Sequence, residues 1–470
     1  FVVSQLIRLP HPSRAALHRR GGWDWTGSVR LKRGAGAGRG KMRRLGIWAL
    51  AIVALALTHR SSVEGATSKV YIQAIPRNIM AIANPWADRN YCLERTAYAI
   101  ENYLGGFLSK GKYTVGTPEE ADYIFVDAKL YCMGHPGGPH GSPYVKKVTE
   151  WLVSTEDYKK RPKAHLIVFT YDHGFCGFGP GEPAWEPLKD STIIHHWGLK
   201  KPERKDYWMK DYHHGVKLDC HVPDKDIVTP GWILPPWQTF PDDKERQQAM
   251  LTRERPNTLF FAGTSGTTKN ARGDFEKGHH YSHGVRQGIF AMFRGREPGF
   301  VLHERASSAE FLKAKWCLAP SGGGYGNRLN YAMASLCVPV IVQDHVDVMF
   351  EDILEYDTFS MRLPQYLLYR IPQILRNKEK DEPHWLAGAR ARLLCAAPFV
   401  DWTRRAVEAF MASLDLRRGE TASRDAIRNE IERCAQTVKR GEVHAREVPV
   451  PPAKPKATLP EATLPGGAAK

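Results

Sequence analysis

From Lys69 onward, short runs of β-branched and aromatic residues alternate with stretches whose apolar positions recur every three or four residues. The first pattern suits strands and the second suits helices. In the first half it predicts strands at Val70–Ile75, Tyr123–Asp127, His165–Tyr171 and Ile227–Thr229, with a helix over Leu93–Leu108. Thr117-Pro118-Glu119-Glu120 reads as a helix start, with a Thr cap and Pro in the first turn. The stretch Pro230–Pro256, rich in Pro, Trp and charge, breaks the rhythm and is expected to link two domains. Alternation resumes with strand Thr258–Ala262, helix Gly284–Phe293, strand Phe300–His303, helix Ser308–Lys315 and strand Trp316–Ala319. Helix Asn327–Leu336 and strand Pro339–Val342 follow, and helices at Trp385–Ala396, Trp402–Leu414 and Ala422–Val438 close the pattern. Such alternation specifies an α/β fold around parallel sheets, here as two domains over residues 69–255 and 256–438.

The ends read differently. Residues 1–41 show no period, whereas Met42-Arg43-Arg44, the apolar run Leu45–Leu57 and the small-residue exit Val63-Glu64-Gly65 form a secretory address. The run is shorter than the roughly 20 residues of a full membrane span, so segment 42–66 is expected to be a signal peptide or a short single-pass anchor. Residues 1–68 around that segment are expected to be disordered, as is the tail 439–470, whose Pro-, Ala- and Lys-rich end from 449 holds too few apolar groups to offset ordering entropy. Eight Cys in that compartment permit up to four bridges in 105 pairings, with no CxxC spacing to favour a metal or redox motif. No Asn-x-Ser/Thr acceptor is present.

Charge narrows the function. The chain has 67 Lys and Arg against 50 Asp and Glu, but 12 of the basic residues and only one acid fall in 1–60. Residues 439–470 take six basic and three acidic residues, leaving 49 against 46 in between. A nearly balanced folded region removes the electrostatic argument for a nucleic-acid partner.

One segment carries most of the candidate chemistry. A strand ending at Ala319-Pro320 runs into Ser321-Gly322-Gly323-Gly324-Tyr325-Gly326-Asn327 and then a helix beginning with Arg328. A glycine-rich turn opening a helix exposes backbone N–H groups to an anion, and Arg328 adds a bidentate cation. It lacks the Walker Gly-Lys-Ser/Thr and the third glycine of a dinucleotide fingerprint, and read alone it is equally a structural βα turn. Glu351 and Asp352 follow strand Pro339–Val342 and are candidate ribose ligands, the alternative being acids that stabilise a helix N-terminus. Asp172-His173-Gly174 follows strand His165–Tyr171 and offers a general base or a local hydrogen-bonded turn. Histidine pairs at His195-His196, His213-His214 and His279-His280, with His283, raise the question of zinc, but no HExxH or Cys/His ligand set appears and no metal is expected. No Gly-x-Ser-x-Gly elbow supports a hydrolase.

The order of these pieces, from Pro118-Glu119-Glu120-Ala121-Asp122-Tyr123-Ile124-Phe125-Val126 through Asp172-His173-Gly174, Lys225-Asp226-Ile227-Val228 and Leu259-Phe260-Phe261-Ala262-Gly263, resembles the exostosin-like glycosyltransferases, glycosyltransferase family 47. Tyr281–Gln287, Phe311–Leu329, Pro339-Val340-Ile341 and Phe350-Glu351-Asp352 continue the resemblance. It implies a GT-B fold of two Rossmann-like domains facing a cleft, with a nucleotide diphosphate sugar, of the UDP class, held mainly by the C-terminal domain. It also implies inversion at the sugar carbon, a glycan or glycoprotein hydroxyl as acceptor, no cofactor, and residence in the Golgi membrane or lumen. The leaving diphosphate is expected to meet Ser321, Gly322, Gly323, Gly324 and Arg328, with Arg286 as a second cation. Asp172 or His173 would assist the acceptor. Two rival readings are an inactive exostosin-like partner that forms a hetero-oligomer with an active transferase, and a secreted carbohydrate-binding protein.

Overall fold

Ten strands build two five-stranded sheets, each parallel throughout. The computed structural model describes residues 68–83, 97–134, 142–174, 186–200, 221–232, 244–265, 268–269, 275–276, 281–305 and 308–439. The first sheet takes β1 (Val70–Ala74), β2 (Tyr123–Asp127), β3 (His165–Val168), β4 (Thr192–His195) and β5 (Ile227–Val228) in sequential order. The second takes β6 (Asn257–Ala262), β7 (Phe300–His303), β8 (Ala314–Pro320), β9 (Val338–Val342) and β10 (Met361–Arg362), in the order β7-β6-β8-β9-β10. Every residue of β9 is buried, as the unbroken Val-Pro-Val-Ile-Val run requires of a strand covered on both faces. This is the α/β, two-sheet GT-B arrangement that the alternating pattern and the resemblance imply.

Helices cover the sheets. In the first half these are α1 (Ile100–Lys110), α2 (Leu130–Gly134) and α3 (Pro143–Ser154); α4 (Lys244–Thr252), α5 (Val285–Phe293) and α6 (Arg328–Ala334) follow. The chain ends in α7 (Ile371–Asp381), α8 (Trp385–Ala396), α9 (Ala406–Arg417) and α10 (Ala422–Lys439). Ile100, Leu104 and Leu108 of α1 are at most 1% exposed and form the stripe that seats this helix on the first sheet. A disulfide between Cys317 and Cys337 ties β8 to the entry of β9, and Cys395–Cys434 ties α8 to α10. Cys132 is disulfide-bonded as well.

The last helices return to the first sheet. The Tyr123 hydroxyl donates to the Leu414 carbonyl at 3.0 Å, and both the backbone N–H and the hydroxyl of Ser68 donate to Asp415, at 2.9 and 2.6 Å. Trp402 donates its indole N–H to the Pro230 carbonyl at 2.9 Å and stacks on Phe107 of α1. The described residues between Ser68 and Lys439 consequently form one compact unit.

Several expectations change. Ser68 belongs to the fold, not to a disordered terminus, and Lys439 completes α10. The proposed linker holds the nine-residue α4, hidden in sequence by its Pro-rich flanks. Ser308–Lys313 is a 3-10 turn that gives way to strand at Ala314, and Thr117 makes no side-chain cap to the short turn Pro118–Glu120. The helix expected at Trp402 begins at Ala406. Among the described residues no helix is long and apolar enough to cross a membrane; segment 42–66, residues 1–41 and the tail from 440 lie outside them.

Candidate active site

The strand order of the second sheet fixes where a ligand can enter. After β6 the chain moves to one side to make β7, then returns across β6 to make β8 on the other, so the connections diverge between the carboxyl ends of β6 and β8. Open α/β sheets bind ligands at that switch point. Here it is flanked by Gly263-Thr264 after β6 and by Ser321-Gly322 after β8, and a cavity of about 380 Å³ opens there. Thr264, Arg286, Gly322, Gly326, Asn327 and Arg328 line it from the second sheet, and Ala97, Tyr98 and Asp172 from the first, with Tyr325 between them.

Two guanidinium groups converge on it. Arg286, on α5, is 4% exposed, donates through Nη1 to the Thr264 carbonyl at 3.2 Å and lies over the Phe261 ring. Arg328, at the start of α6, donates through Nε to the Ala262 carbonyl and is half-buried. Gly263 sits between them: a Cβ there would lie 3.2 Å from Arg286 Nη1 and 3.3 Å from Arg328 Nε. A glycine at the strand end is thus what lets both cations flank the mouth of the switch point.

The glycine bend does a different job from the one its sequence suggests. Gly324 has φ of +141°, and a Cβ on it would stand 2.2 Å from the Asp172 carbonyl oxygen. The next residue, Tyr325, donates its N–H to that same carbonyl at 2.6 Å. The bend therefore docks onto the Asp172 loop of the first sheet, and its glycine serves close backbone approach within the protein. Ser321, 1% exposed, donates its hydroxyl to Gln343 at 3.2 Å, and neither Ser321 nor Gly323 lines the cavity. Of the expected anion ligands in this segment, Gly322 and Arg328 reach it.

Asp172 faces the two cations across the cavity. Its Oδ1 accepts the Tyr98 hydroxyl at 2.5 Å, a contact not foreseen from sequence because nothing there places the residues before α1 against this loop. Burial raises the Asp172 pKa above the ordinary Asp value, while the Tyr98 bond and the charge of Arg286 act in the opposite direction. His173 does not line the cavity; its ring packs on Tyr171 and edge-on to Trp197.

Glu351 and Asp352 are not part of this site. Both line a separate cavity of about 490 Å³ with His221, Asp347 and Arg417. Glu351 accepts the Val348 N–H at 2.8 Å and pairs with Arg362 through both carboxylate oxygens, and Asp352 is held by Arg417. These bonds tie the two acids to a turn and to neighbouring arginines, and neither lines the switch-point cavity. The histidines are also accounted for locally: His195 bonds His221 and His196 bonds the Thr229 carbonyl, each at 2.9 Å, while His213, His214, His279 and His280 lie outside the described residues. Among the described residues no group of His, Cys, Asp and Glu is arranged to hold a metal ion.

Known proteins give this arrangement a family. A protein of Arabidopsis thaliana named "Probable glucuronoxylan glucuronosyltransferase" is 23% identical over 66% of this chain and 63% of its own length. "Probable glucuronosyltransferase 47 A" of Physcomitrium patens is 26% identical over 62% of each chain. "Probable beta-1,4-xylosyltransferase" of Arabidopsis thaliana is 24% identical over 56% of this chain and 60% of its own. The chain thus spans a little under two thirds of the length of these three relatives. The exostosin GT47 domain matches residues 64–378, which include both sheets and every residue of the switch-point cavity, and the chain belongs to that glycosyltransferase family.

Proposed function

We propose that this protein is an inverting glycosyltransferase that moves a sugar from a nucleoside diphosphate sugar, of the UDP class, to a glycan or glycoprotein hydroxyl in a secretory compartment. The observation that carries the reading is the meeting of Arg286, Arg328 and Asp172 around one cavity at the switch point. Among the described residues that line it, two cations face one carboxylate, a lining that suits a diphosphate. The names of the relatives point to glucuronosyl or xylosyl transfer.

In this mechanism the acceptor hydroxyl attacks the anomeric carbon from the Asp172 side. The new C–O bond forms as the bond to the diphosphate breaks, the hydroxyl proton passes to Asp172, and one displacement inverts the centre. Negative charge grows on the departing diphosphate, where the pre-positioned guanidiniums of Arg286 and Arg328 stabilise it without reorganising at the moment of reaction. Arg286 is held by the Thr264 carbonyl and Arg328 by the Ala262 carbonyl, so each is aimed before substrate arrives. The chemistry needs no cofactor beyond the sugar nucleotide itself, which is a substrate.

The test is transfer from UDP-glucuronic acid and UDP-xylose to a xylo-oligosaccharide by wild type, Arg286→Ala and Arg328→Ala. Each variant is expected to lose about 100-fold or more in kcat, the scale for removing one stabiliser of developing charge. Near wild-type turnover in the Arg328→Ala protein would sink the leaving-group assignment.

A further inference from the structure

Glu101 is a carboxylate that the proposed chemistry leaves unused, yet four hydrogen bonds converge on it. It sits on α1 among Ile100, Leu104 and Leu108 and is 1% exposed. Its Oε1 accepts the Thr170 N–H at 2.8 Å and the Thr170 hydroxyl at 3.1 Å. Its Oε2 accepts the N–H groups of Tyr131 and Cys132, each at 3.0 Å. A carboxylate is costly to bury unless its lone pairs are satisfied, and here two donors serve each oxygen.

The recipients make the arrangement informative. Thr170 lies two residues before Asp172, at the end of the β3 run, and Tyr98 lies three residues before Glu101, one helical turn away on the same side of the chain. Tyr98 is the donor to Asp172. The Thr170 hydroxyl also lies 3.4 Å from the Tyr98 carbonyl, and the Tyr98 ring meets the Tyr131 ring edge-on. Both halves of the Tyr98–Asp172 bond are therefore tied to one side chain. Capping the start of α2 would require Oε2 alone; the bonds of Oε1 go to the segment that leads into the site.

We propose that Glu101 is a positioning residue that fixes Asp172 against Tyr98, and thereby sets the acid's readiness to take the acceptor proton. The inference rests on the assignment of Asp172 above. Glu101 does not line the cavity and acts through Thr170 and Tyr98. Burial lifts its own pKa to about 7 against the pull of its hydrogen bonds, as expected of a carboxylate retained at a cost for its geometry.

The experiment follows Asp172 directly. Full-length protein carrying carbon-13 at its Asp carboxyls is titrated by NMR, with Asp172→Asn assigning the signal, in wild type, Glu101→Gln and Thr170→Val. Amide hydrogen exchange is measured on the same proteins. Releasing Asp172 from Tyr98 removes a bond that favours its ionised form, so the midpoint is expected to rise further above the ordinary Asp value, by about half a pH unit or more, as for Tyr98→Phe. Amides 170–174 should exchange about tenfold faster while those of the second sheet keep wild-type protection. Thr170→Val keeps the backbone bond and removes only the hydroxyl, so it carries the test if Glu101→Gln does not fold. An Asp172 midpoint and 170–174 exchange unchanged in a folded variant would overturn the proposal. Wild-type transfer by Asp172→Asn would instead overturn the base assignment, and the titration would still decide whether Glu101 positions this loop.

Discussion

Asp172 is held between two opposing influences, and their balance decides when it can act. A base must be ionised to accept a proton. Burial raises its pKa, so transfer should fall on acidification at a higher pH than an ordinary Asp would allow. Tyr98 stabilises the ionised form by donating to Oδ1. Tyr98→Phe should therefore move the acidic limb of kcat/KM to still higher pH and lower the rate at that limb, and a limb left in place would disconnect Tyr98 from the chemistry. Close approach is the second lesson at this scale: Gly324 and Gly263 are both glycines where a Cβ would crowd another part of the site, the first against the Asp172 carbonyl and the second between two guanidiniums. Sequence reveals that a glycine is present but not what it approaches: within one bend Gly324 meets the Asp172 carbonyl while Gly322 lines the cavity.

At the scale of elements, legibility followed burial pattern. β2 and β9 were readable because strands covered on both faces need continuous apolar runs. β4 was not picked out from sequence, and α4 was hidden because Pro and charge on either side resemble a linker. The chemistry divided in the same way. Arg328 was legible since a strand, a glycine turn and a helix start are contiguous in sequence. Tyr98 and Glu101 were not, because their importance comes from packing α1 against a loop some 70 residues later. Glu351 was ambiguous in sequence because a structural acid and a ribose ligand can occupy the same place after a strand. Its Val348 and Arg362 bonds make it part of the fold, so Glu351→Gln should lower the unfolding midpoint while leaving the donor KM unchanged. An increase in donor KM without loss of stability would support the ribose role.

In the whole molecule the cavity proposed for the reaction lies where the two sheets meet. The second sheet supplies cations at its switch point, the first supplies the acid, and Gly324-Tyr325 against Asp172 joins them. The returning C-terminal helices also bond the elements of the first sheet, through Tyr123–Leu414, Ser68–Asp415 and Trp402–Pro230. Diphosphate recognition is the claim on which the functional account turns. Calorimetric titration of UDP and UMP into wild type and into the Arg286→Ala, Arg328→Ala double variant addresses it without requiring the acceptor. Wild type should bind UDP at least about tenfold more tightly than UMP, about 1.4 kcal/mol for the second phosphate, and the double variant should lose that preference. Equal affinity of wild type for the two nucleotides, or a preference that survives removal of both guanidiniums, would contradict it.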